Sequence, residues 1–166
     1  CPIGVQGEMC NRGYNTMKGY YKNPEATAQI IDVNGWLHTG DLGVMDEEGY
    51  VTVRGRSKNM LLTSSGQNIY PEEIESKLNN MPYVAESLIV LQHDKLVALI
   101  YPDFDDAFAH GLQQNDIQKA MEVNRVELNQ QLPNYCQISK IKIHFEEFEK
   151  TAKKSIKRFM YQEAKG

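Results

Sequence analysis

The chain has 166 residues, a net charge of −4 and globular proportions of hydrophobic (41%) and charged (24%) residues, which fit one ordinary domain or a small domain plus part of another. The charge balance argues against nucleic acid or an anionic membrane as a main partner, and the apolar runs are too short to span a bilayer. Three irregularly spaced cysteines, with no histidine nearby in the sequence at metal-ligand spacing, argue against a zinc or disulfide scaffold and favour reduced thiols in a cytosolic protein.

Residues 1–57 are predicted to be β-rich with one helix. A short strand is expected over 8–12. A helix is expected over 24–31, because a proline and an acidic first turn at its start both favour helix initiation. A hairpin is predicted over 44–53, with Gly49 at the bulge position of its turn.

The polar segment 55–59 has few apolar anchors and predicts a domain boundary, which divides the chain into domains 1–57 and 58–166. Strands and helices are mixed after this boundary rather than strictly alternating, which predicts a small α+β domain. The elements expected there are a second hairpin over 60–70, a helix beginning at Pro71, two apolar strands over 84–91 and 96–101, a longer helix ended by Pro133, a strand over 141–145 and a last helix over 155–164.

Three polar motifs carry the chemical information: Trp-Leu-His-Thr-Gly-Asp-Leu over 36–42, the pair at 55–56, and Ser-Gly-Gln-Asn-Ile-Tyr-Pro-Glu-Glu-Ile-Glu over 65–75. An aspartate after a glycine at a strand end, such as Asp41, can accept two hydrogen bonds from a vicinal diol. A guanidinium such as that of Arg56 can bridge ribose oxygens and phosphate while staying charged. Taken alone, either residue would also suit a solvated turn.

In this order and at this spacing the motifs resemble the adenylate-forming enzymes, which include acyl-CoA synthetases, luciferases and peptide-synthetase adenylation domains. The resemblance implies that Asp41 binds the ribose hydroxyls of ATP and that Arg56 contacts the nucleotide. It implies that Lys58 is a hinge about which a small mobile C-terminal domain rotates between an adenylating and a thioester-forming pose. Gly66, with Ser65 beside it, would line the tunnel for the coenzyme A thiol in the second pose.

The C-terminal stretch 149–159 departs from the family pattern. Many members end with Thr-Pro-x-Gly-Lys-Ile-x-Arg, whose lysine neutralises the carboxylate and α-phosphate while the acyl-adenylate forms. Direct alignment puts Ser155 in place of that lysine and Lys154 in place of the glycine. We favour Lys154 as the adenylation lysine. Lys153 and Lys157 are the alternatives, and a weak or absent adenylation lysine is the fourth.

The resemblance is closest to the long-chain fatty acyl-CoA synthetases, which convert a fatty acid, ATP and coenzyme A into acyl-CoA, AMP and pyrophosphate through an acyl-adenylate. It implies that residues 1–57 are the β-rich end of a large nucleotide-binding N-terminal domain. The family's phosphate loop and its Mg²⁺-binding glutamate motif do not occur in the chain. We therefore expect the Mg²⁺ site in the rest of that domain, no metal site in this chain, and no activity from the chain alone.

Two other functions stay open at this point. One is a fragment of an adenylation domain that loads the phosphopantetheine arm of a carrier protein, and the other is an interaction module without chemistry. The expected partners are a fatty acid, ATP, coenzyme A and the rest of the N-terminal domain, without nucleic acid. The expected location is cytoplasmic, with peripheral membrane contact compatible with it.

Overall fold

The N-terminal part of the computed structural model, which describes residues 2–162, is a three-stranded antiparallel sheet in the order β1-β2-β3 with one short helix. The chain divides into two units, Cys1–Met60 and Leu61–Gly166. The N-terminal unit contains β1 (Gln6–Asn11), α1 (Pro24–Ile30), β2 (Leu37–Met45) and β3 (Val51–Arg56).

The hairpin between β2 and β3 is set by its turn. The Asp46 carboxylate accepts hydrogen bonds from the backbone N–H groups of Glu48 (3.0 Å) and Tyr50 (2.9 Å), and Gly49 adopts a φ of +87°. A residue at positive φ in a hairpin turn is best supplied by glycine, as the sequence predicts. The resulting register pairs Asp41 on β2 with Arg56 on β3.

The N-terminal unit buries little apolar surface. Among its described residues, the two that are buried are Gly43 and Gly55, whereas Tyr50 and Val53 are 70% and 58% exposed. A small sheet needs an apolar face packed against another layer for independent stability. This unit by itself therefore receives little hydrophobic stabilisation.

The C-terminal unit is built on a second three-stranded sheet, in which β6 runs antiparallel to β7 and β7 runs parallel to β8. The parallel pair requires a crossover, and the two helices between β7 and β8 provide it. The elements are β4 (Leu61–Leu62), β5 (Asn68–Ile69), α2 (Pro71–Leu78), β6 (Val84–Gln92), β7 (Lys95–Pro102), α3 (Phe104–Ala109), α4 (Gln114–Gln131) and β8 (Ile138–Ile143).

Both faces of this second sheet are covered. Because side chains alternate along a strand, Ile89 faces α2 and α4, while Leu88 and Val90 face the opposite side. That opposite side is covered by the C-terminal segment, whose Phe148 is 2% exposed and whose Tyr161 packs against it. The sheet is therefore the centre of the unit's hydrophobic core.

The α+β fold class is confirmed, but the predicted last helix over 155–164 is wrong within the described residues. The chain there forms a narrow hairpin and then a single 3-10 turn, Arg158–Met160. The backbone N–H of Lys157 donates to the Glu149 carbonyl at 2.8 Å, which is cross-chain pairing rather than helical bonding. Apolar contacts with the sheet select this extended path over a helix.

Three other sequence predictions fare differently. The short helix α3 was not predicted, and the strand predicted over 141–145 is β8, which begins at Ile138. Residues 163–164, the end of the predicted last helix, lie outside the described residues. The boundary predicted between 57 and 58 stays a prediction.

Within residues 2–162, none of the helices combines the length and the apolar character that a membrane span needs.

Candidate functional site

Asp41 and Arg56 form an ion pair on the surface of the N-terminal sheet. Nη1 of Arg56 donates to Oδ1 of Asp41 at 2.8 Å and also to the Thr39 carbonyl oxygen at 2.8 Å. The Arg56 and Asp41 side chains are 46% and 34% exposed. The fold thus brings together the two residues predicted to bind the nucleotide, and leaves both accessible to a ligand.

The backbone before Asp41 is held in an irregular conformation. Gly40 has a φ of +73°, and its N–H donates to the Glu8 carboxylate at 2.9 Å. The Thr39 hydroxyl donates to the Met9 carbonyl at 2.7 Å and accepts from the Asp41 N–H at 3.1 Å. Gly40 at positive φ and Thr39 are thus each bonded to β1, which fixes the direction in which the Asp41 carboxylate points.

His38 lies on β2, two residues before Gly40, in a cluster of polar side chains. Its Nδ1 is 2.8 Å from Oε2 of Glu8 and 3.5 Å from Sγ of Cys10, and its Nε2 is 3.9 Å from Oδ2 of Asp32. The hydrogen bond to Glu8 raises the pKa of His38, and the same bond lowers the pKa of Glu8. Sequence reasoning missed this cluster, because its members are distant along the chain.

Lys58 lies in the 3-10 helix Ser57–Asn59, directly after β3, and its side chain is exposed. An exposed polar residue in a single short turn can change its backbone angles without exposing apolar surface. The location suits the predicted hinge, which stays a prediction.

Ser65 and Gly66 form the exposed tip of the turn between β4 and β5. Gly66 has a φ of +78°, and a Cβ added there would meet nothing within 4 Å, so the backbone conformation rather than lack of space favours glycine. Ser64 ties the turn to Asp94 through its backbone N–H at 2.8 Å and through its hydroxyl. These bonds lower the pKa of Asp94. The tip is thus a small, anchored projection, and its role at a thiol tunnel stays a prediction.

The predicted adenylation lysines lie in the C-terminal hairpin. The Thr151 N–H donates to the Ser155 carbonyl at 2.8 Å, and Lys154 occupies the turn with a φ of +61°. Lys153 and Lys154 are exposed, whereas Nζ of Lys157 is 3.3 Å from the Glu149 carboxylate.

The left-handed turn position is the one where the Thr-Pro-x-Gly-Lys pattern has its glycine. The turn therefore matches the direct alignment, in which Lys154 replaces the pattern's glycine and Ser155 its lysine. The choice among Lys154, Lys153, Lys157 and no lysine at all stays a prediction.

Arg158 fixes the end of this hairpin to the core. Nη1 of Arg158 donates to Oε1 of Glu75 at 2.7 Å, its second nitrogen bonds the other carboxylate oxygen, and Oε1 also accepts from the Ile89 N–H at 2.7 Å. Burial raises the pKa of Glu75, and Arg158 opposes that rise. The partners are 83 residues apart, so no local pattern in the sequence indicates the pair.

Comparison with known proteins places this site in context. The chain is 54% identical over 87 residues to a putative acyl-CoA synthetase, YngI, of Bacillus subtilis, which covers 52% of this chain and 16% of that protein. It is 51% identical over 85 residues to a long-chain-fatty-acid–CoA ligase of Escherichia coli O6:H1, covering 51% of this chain and 15% of the relative. The matched half of the chain thus spans about one sixth of the length of these relatives.

The fold is also found in a solved structure. o-Succinylbenzoate CoA synthetase from Bacillus subtilis, solved with an acyl-adenylate intermediate, matches with a TM-score of 0.75 and 26% identity over 99% of this chain and 32% of the other. The family model of the AMP-binding enzyme C-terminal domain matches residues 58–164, well over half of the chain. The predicted resemblance is therefore confirmed, and the chain belongs to the family of AMP-binding enzyme C-terminal domains, found in adenylate-forming enzymes.

Proposed function

We propose that this chain is the C-terminal portion of an AMP-forming acid–thiol ligase that joins a long-chain fatty acid to coenzyme A through an acyl-adenylate. The observation that carries the proposal is the accessible Asp41–Arg56 pair, which the register of β2 against β3 sets on adjacent strands. Ligation to coenzyme A is supported by the similar proteins, which are CoA synthetases and ligases. A fatty acid as the substrate is supported by the Escherichia coli long-chain-fatty-acid–CoA ligase. The solved Bacillus subtilis structure, in contrast, is of an o-succinylbenzoate CoA synthetase.

The pair divides the recognition of the nucleotide between its two members. The Asp41 carboxylate accepts hydrogen bonds from the two ribose hydroxyls, and the Arg56 guanidinium contacts ribose and phosphate oxygens. Because Arg56 already donates to Asp41, it also holds the carboxylate in position before the ligand arrives. The proposed contribution of both residues is positioning of the nucleotide, which lowers the barrier to adenylation.

The N-terminal sheet, which buries little apolar surface, supports the part of the proposal that makes this chain only a portion of the enzyme. Its exposed apolar side chains, such as Tyr50 and Val53, suit a sheet that the rest of an N-terminal domain covers. That domain would supply the phosphate loop and the Mg²⁺ site, in an enzyme of the cytoplasm. In the same enzyme Lys58 would act as the hinge, and Gly66 with Ser65 would approach the coenzyme A thiol.

The test is pyrophosphate release by the enzyme that contains this chain, with a panel of fatty acids and o-succinylbenzoate. Each charged hydrogen bond contributes about 1.5–3 kcal/mol, so Asp41→Ala should lower kcat/KM for ATP by about 10- to 100-fold or more. Asp105→Asn, an exposed acid in the C-terminal unit, is the control and should leave turnover unchanged.

Four results would contradict the proposal. Unchanged turnover in Asp41→Ala would remove Asp41 from the nucleotide site. Preference for o-succinylbenzoate over every fatty acid would remove the substrate class, and transfer to a carrier protein but not to free coenzyme A would replace the acceptor. Release of pyrophosphate by the 166-residue chain alone, above a protein-free control, would show that the chain needs no further domain.

A further inference from the structure

Glu8, Cys10 and His38 present a carboxylate oxygen, a thiol sulfur and an imidazole nitrogen to one point on the surface of the N-terminal sheet. Cys10 and His38 are direct partners across β1 and β2, and Glu8 precedes Cys10 by two residues on the same face of β1. Their three ligand atoms lie within 4.8 Å of one another. We propose that these side chains form a zinc-binding site with an open fourth position.

The two separations that involve His38 lie close to the coordination geometry of zinc. Tetrahedral zinc, with bonds of about 2.3 Å to sulfur and about 2.05 Å to nitrogen, holds those two atoms about 3.5 Å apart. Sγ of Cys10 and Nδ1 of His38 are 3.5 Å apart. Oε2 of Glu8 is 2.8 Å from Nδ1, and a shift of roughly 0.5 Å would bring it to the tetrahedral separation. A carboxylate side chain that is 33% exposed has room for that shift.

Both carboxylates near His38 are already oriented by the backbone. Oε1 of Glu8 accepts the Gly40 N–H at 2.9 Å, which leaves Oε2 directed at the imidazole. Oδ1 of Asp32 accepts the N–H groups of Asn34 (2.8 Å) and Trp36 (2.9 Å), which leaves Oδ2 directed at the other ring nitrogen, Nε2. Two acids, each anchored through one oxygen, therefore flank the same ring from its two nitrogens.

Asp32 lies on the side of the ring where a metal-bound histidine has its supporting carboxylate, although at 3.9 Å it makes an ion-pair contact and not a hydrogen bond. A histidine that binds metal through one nitrogen commonly presents its other N–H to a carboxylate, which fixes the tautomer and the ring orientation. Coordination through Nδ1 would leave Nε2–H facing Asp32 at the observed 3.9 Å. An ion pair between His38 and Glu8 would account for one contact of the ring, but it needs neither the thiol of Cys10 nor this second acid.

The ligand set selects the kind of metal. Mg²⁺ and Ca²⁺ prefer sites made of oxygen atoms, whereas a thiolate together with imidazole and carboxylate suits Zn²⁺. Three protein ligands with one open position is the pattern of zinc sites that take water or a substrate group as the fourth ligand. Glu8 also accepts a hydrogen bond from the backbone just before Asp41, so a bound ion would also stiffen that part of β2.

The experiment uses the full chain, stripped with a chelator and titrated with Zn²⁺ by calorimetry and with Co²⁺ by absorption. The starting protein carries Cys1→Ser and Cys136→Ser, so that Cys10 is its one thiol. We expect one ion per chain and a thiolate-to-cobalt charge-transfer band in the near ultraviolet. Cys10→Ser in that background should abolish the band, and Asp32→Asn should weaken binding about 10- to 100-fold.

Circular dichroism and Trp36 fluorescence of each variant report whether the N-terminal sheet is retained. The control His110→Gln, in the C-terminal unit, should bind as the starting protein does. Failure of the starting protein to bind Zn²⁺ in a saturable, stoichiometric way would overturn the proposal. Equal binding by folded Cys10→Ser, or cobalt binding by the starting protein without a charge-transfer band, would do so too.

Discussion

Among single residues, His38 and Glu8 make the stability of the N-terminal unit depend on pH. The pKa of His38 is raised from its ordinary 6.5, so its contribution is complete below pH 6.5 and is lost as pH rises through the raised value. The pKa of Glu8 is lowered from 4.5, so its contribution is complete above pH 4.5 and is lost as pH falls through the lowered value. The pair is therefore most stabilising between these two ordinary values.

We expect the difference in urea midpoint between the native chain and His38→Gln to be largest between pH 4.5 and 6.5, and to shrink as pH rises further. Fluorescence of Trp36, the one tryptophan, reports on this unit directly. The measurement is made with a chelator present, and His110→Gln serves as the control. A midpoint difference that stays constant from pH 5 to pH 9 would show that the pair contributes nothing through ionisation.

Lys154 gives a second prediction at this scale, because its φ of +61° suits glycine. A left-handed conformation costs a residue with a Cβ roughly 1–2 kcal/mol, and the extra freedom of glycine in the unfolded chain offsets about 0.5–1 kcal/mol of the gain. Lys154→Gly should thus raise the free energy of unfolding by up to about 1 kcal/mol, while Lys154→Ala should leave it nearly unchanged. Thermal unfolding followed by circular dichroism measures both.

The same substitution separates the side chain from the backbone in the test for an adenylation lysine. Lys154→Gly removes the amine without straining the turn, so a loss of pyrophosphate release by the enzyme that contains this chain would come from the amine itself. Lys119→Ala, at an exposed position on α4 outside the candidate lysines, is the control. If Lys154→Gly releases pyrophosphate as fast as the native enzyme, Lys154 has no part in adenylation, and attention passes to Lys153 and Lys157.

Sequence reasoning reached some of these residues and missed others for a physical reason. Asp41 and Arg56 stand in short motifs whose order and spacing along the chain resemble those of a known family. His38 and Glu8 are 30 residues apart and Cys10 and His38 are 28 apart, so their meeting depends on the register of β1 against β2. That register includes an irregularity between Glu8 and Cys10, which no periodicity in the sequence indicates.

Among elements, the buried pair Glu75–Arg158 joins helix α2 to the C-terminal segment. Removing one partner of a buried ion pair leaves an uncompensated charge and typically costs about 3–5 kcal/mol. We expect Arg158→Met to destabilise the chain by about that amount, and Glu75→Gln with Arg158→Met together to cost less than Arg158→Met alone. Chemical denaturation of the two variants and the native chain measures the difference.

Lys119→Met is the control for that prediction, because Lys119 pairs with Asp116 on the exposed face of α4 and should cost at most about 1 kcal/mol. A loss below 1 kcal/mol in Arg158→Met would mean that Glu75 takes up a proton or water instead of keeping a buried charge.

The Glu75–Arg158 pair also explains why the last predicted helix does not form. The apolar and basic side chains of that segment instead contact α2 and the sheet, both of which are distant from it in the sequence.

At the scale of the whole molecule, the two units differ in what stabilises them. The C-terminal unit buries large side chains completely, among them Leu78, Ile89 and Met121. Each such residue contributes about 1.5–3 kcal/mol when removed from water. Periodic apolar positions in the sequence were enough to predict most of this unit's elements. The scarcity of buried apolar side chains in the N-terminal unit became visible only once the strands were placed.

This contrast predicts that the two parts behave differently when separated. A fragment of residues 58–166 contains the covered sheet and should unfold cooperatively, with dispersed methyl resonances like those of the same residues in the full chain. A fragment of residues 1–57 keeps the β1-β2-β3 sheet but buries little apolar surface, so it should unfold at a lower urea concentration than 58–166 and over a broader range. A urea midpoint of 1–57 as high as that of 58–166 would contradict the proposal that another part of an N-terminal domain covers its sheet. Loss of cooperativity in 58–166 would show that its core depends on the residues before the predicted boundary, and that this boundary is misplaced.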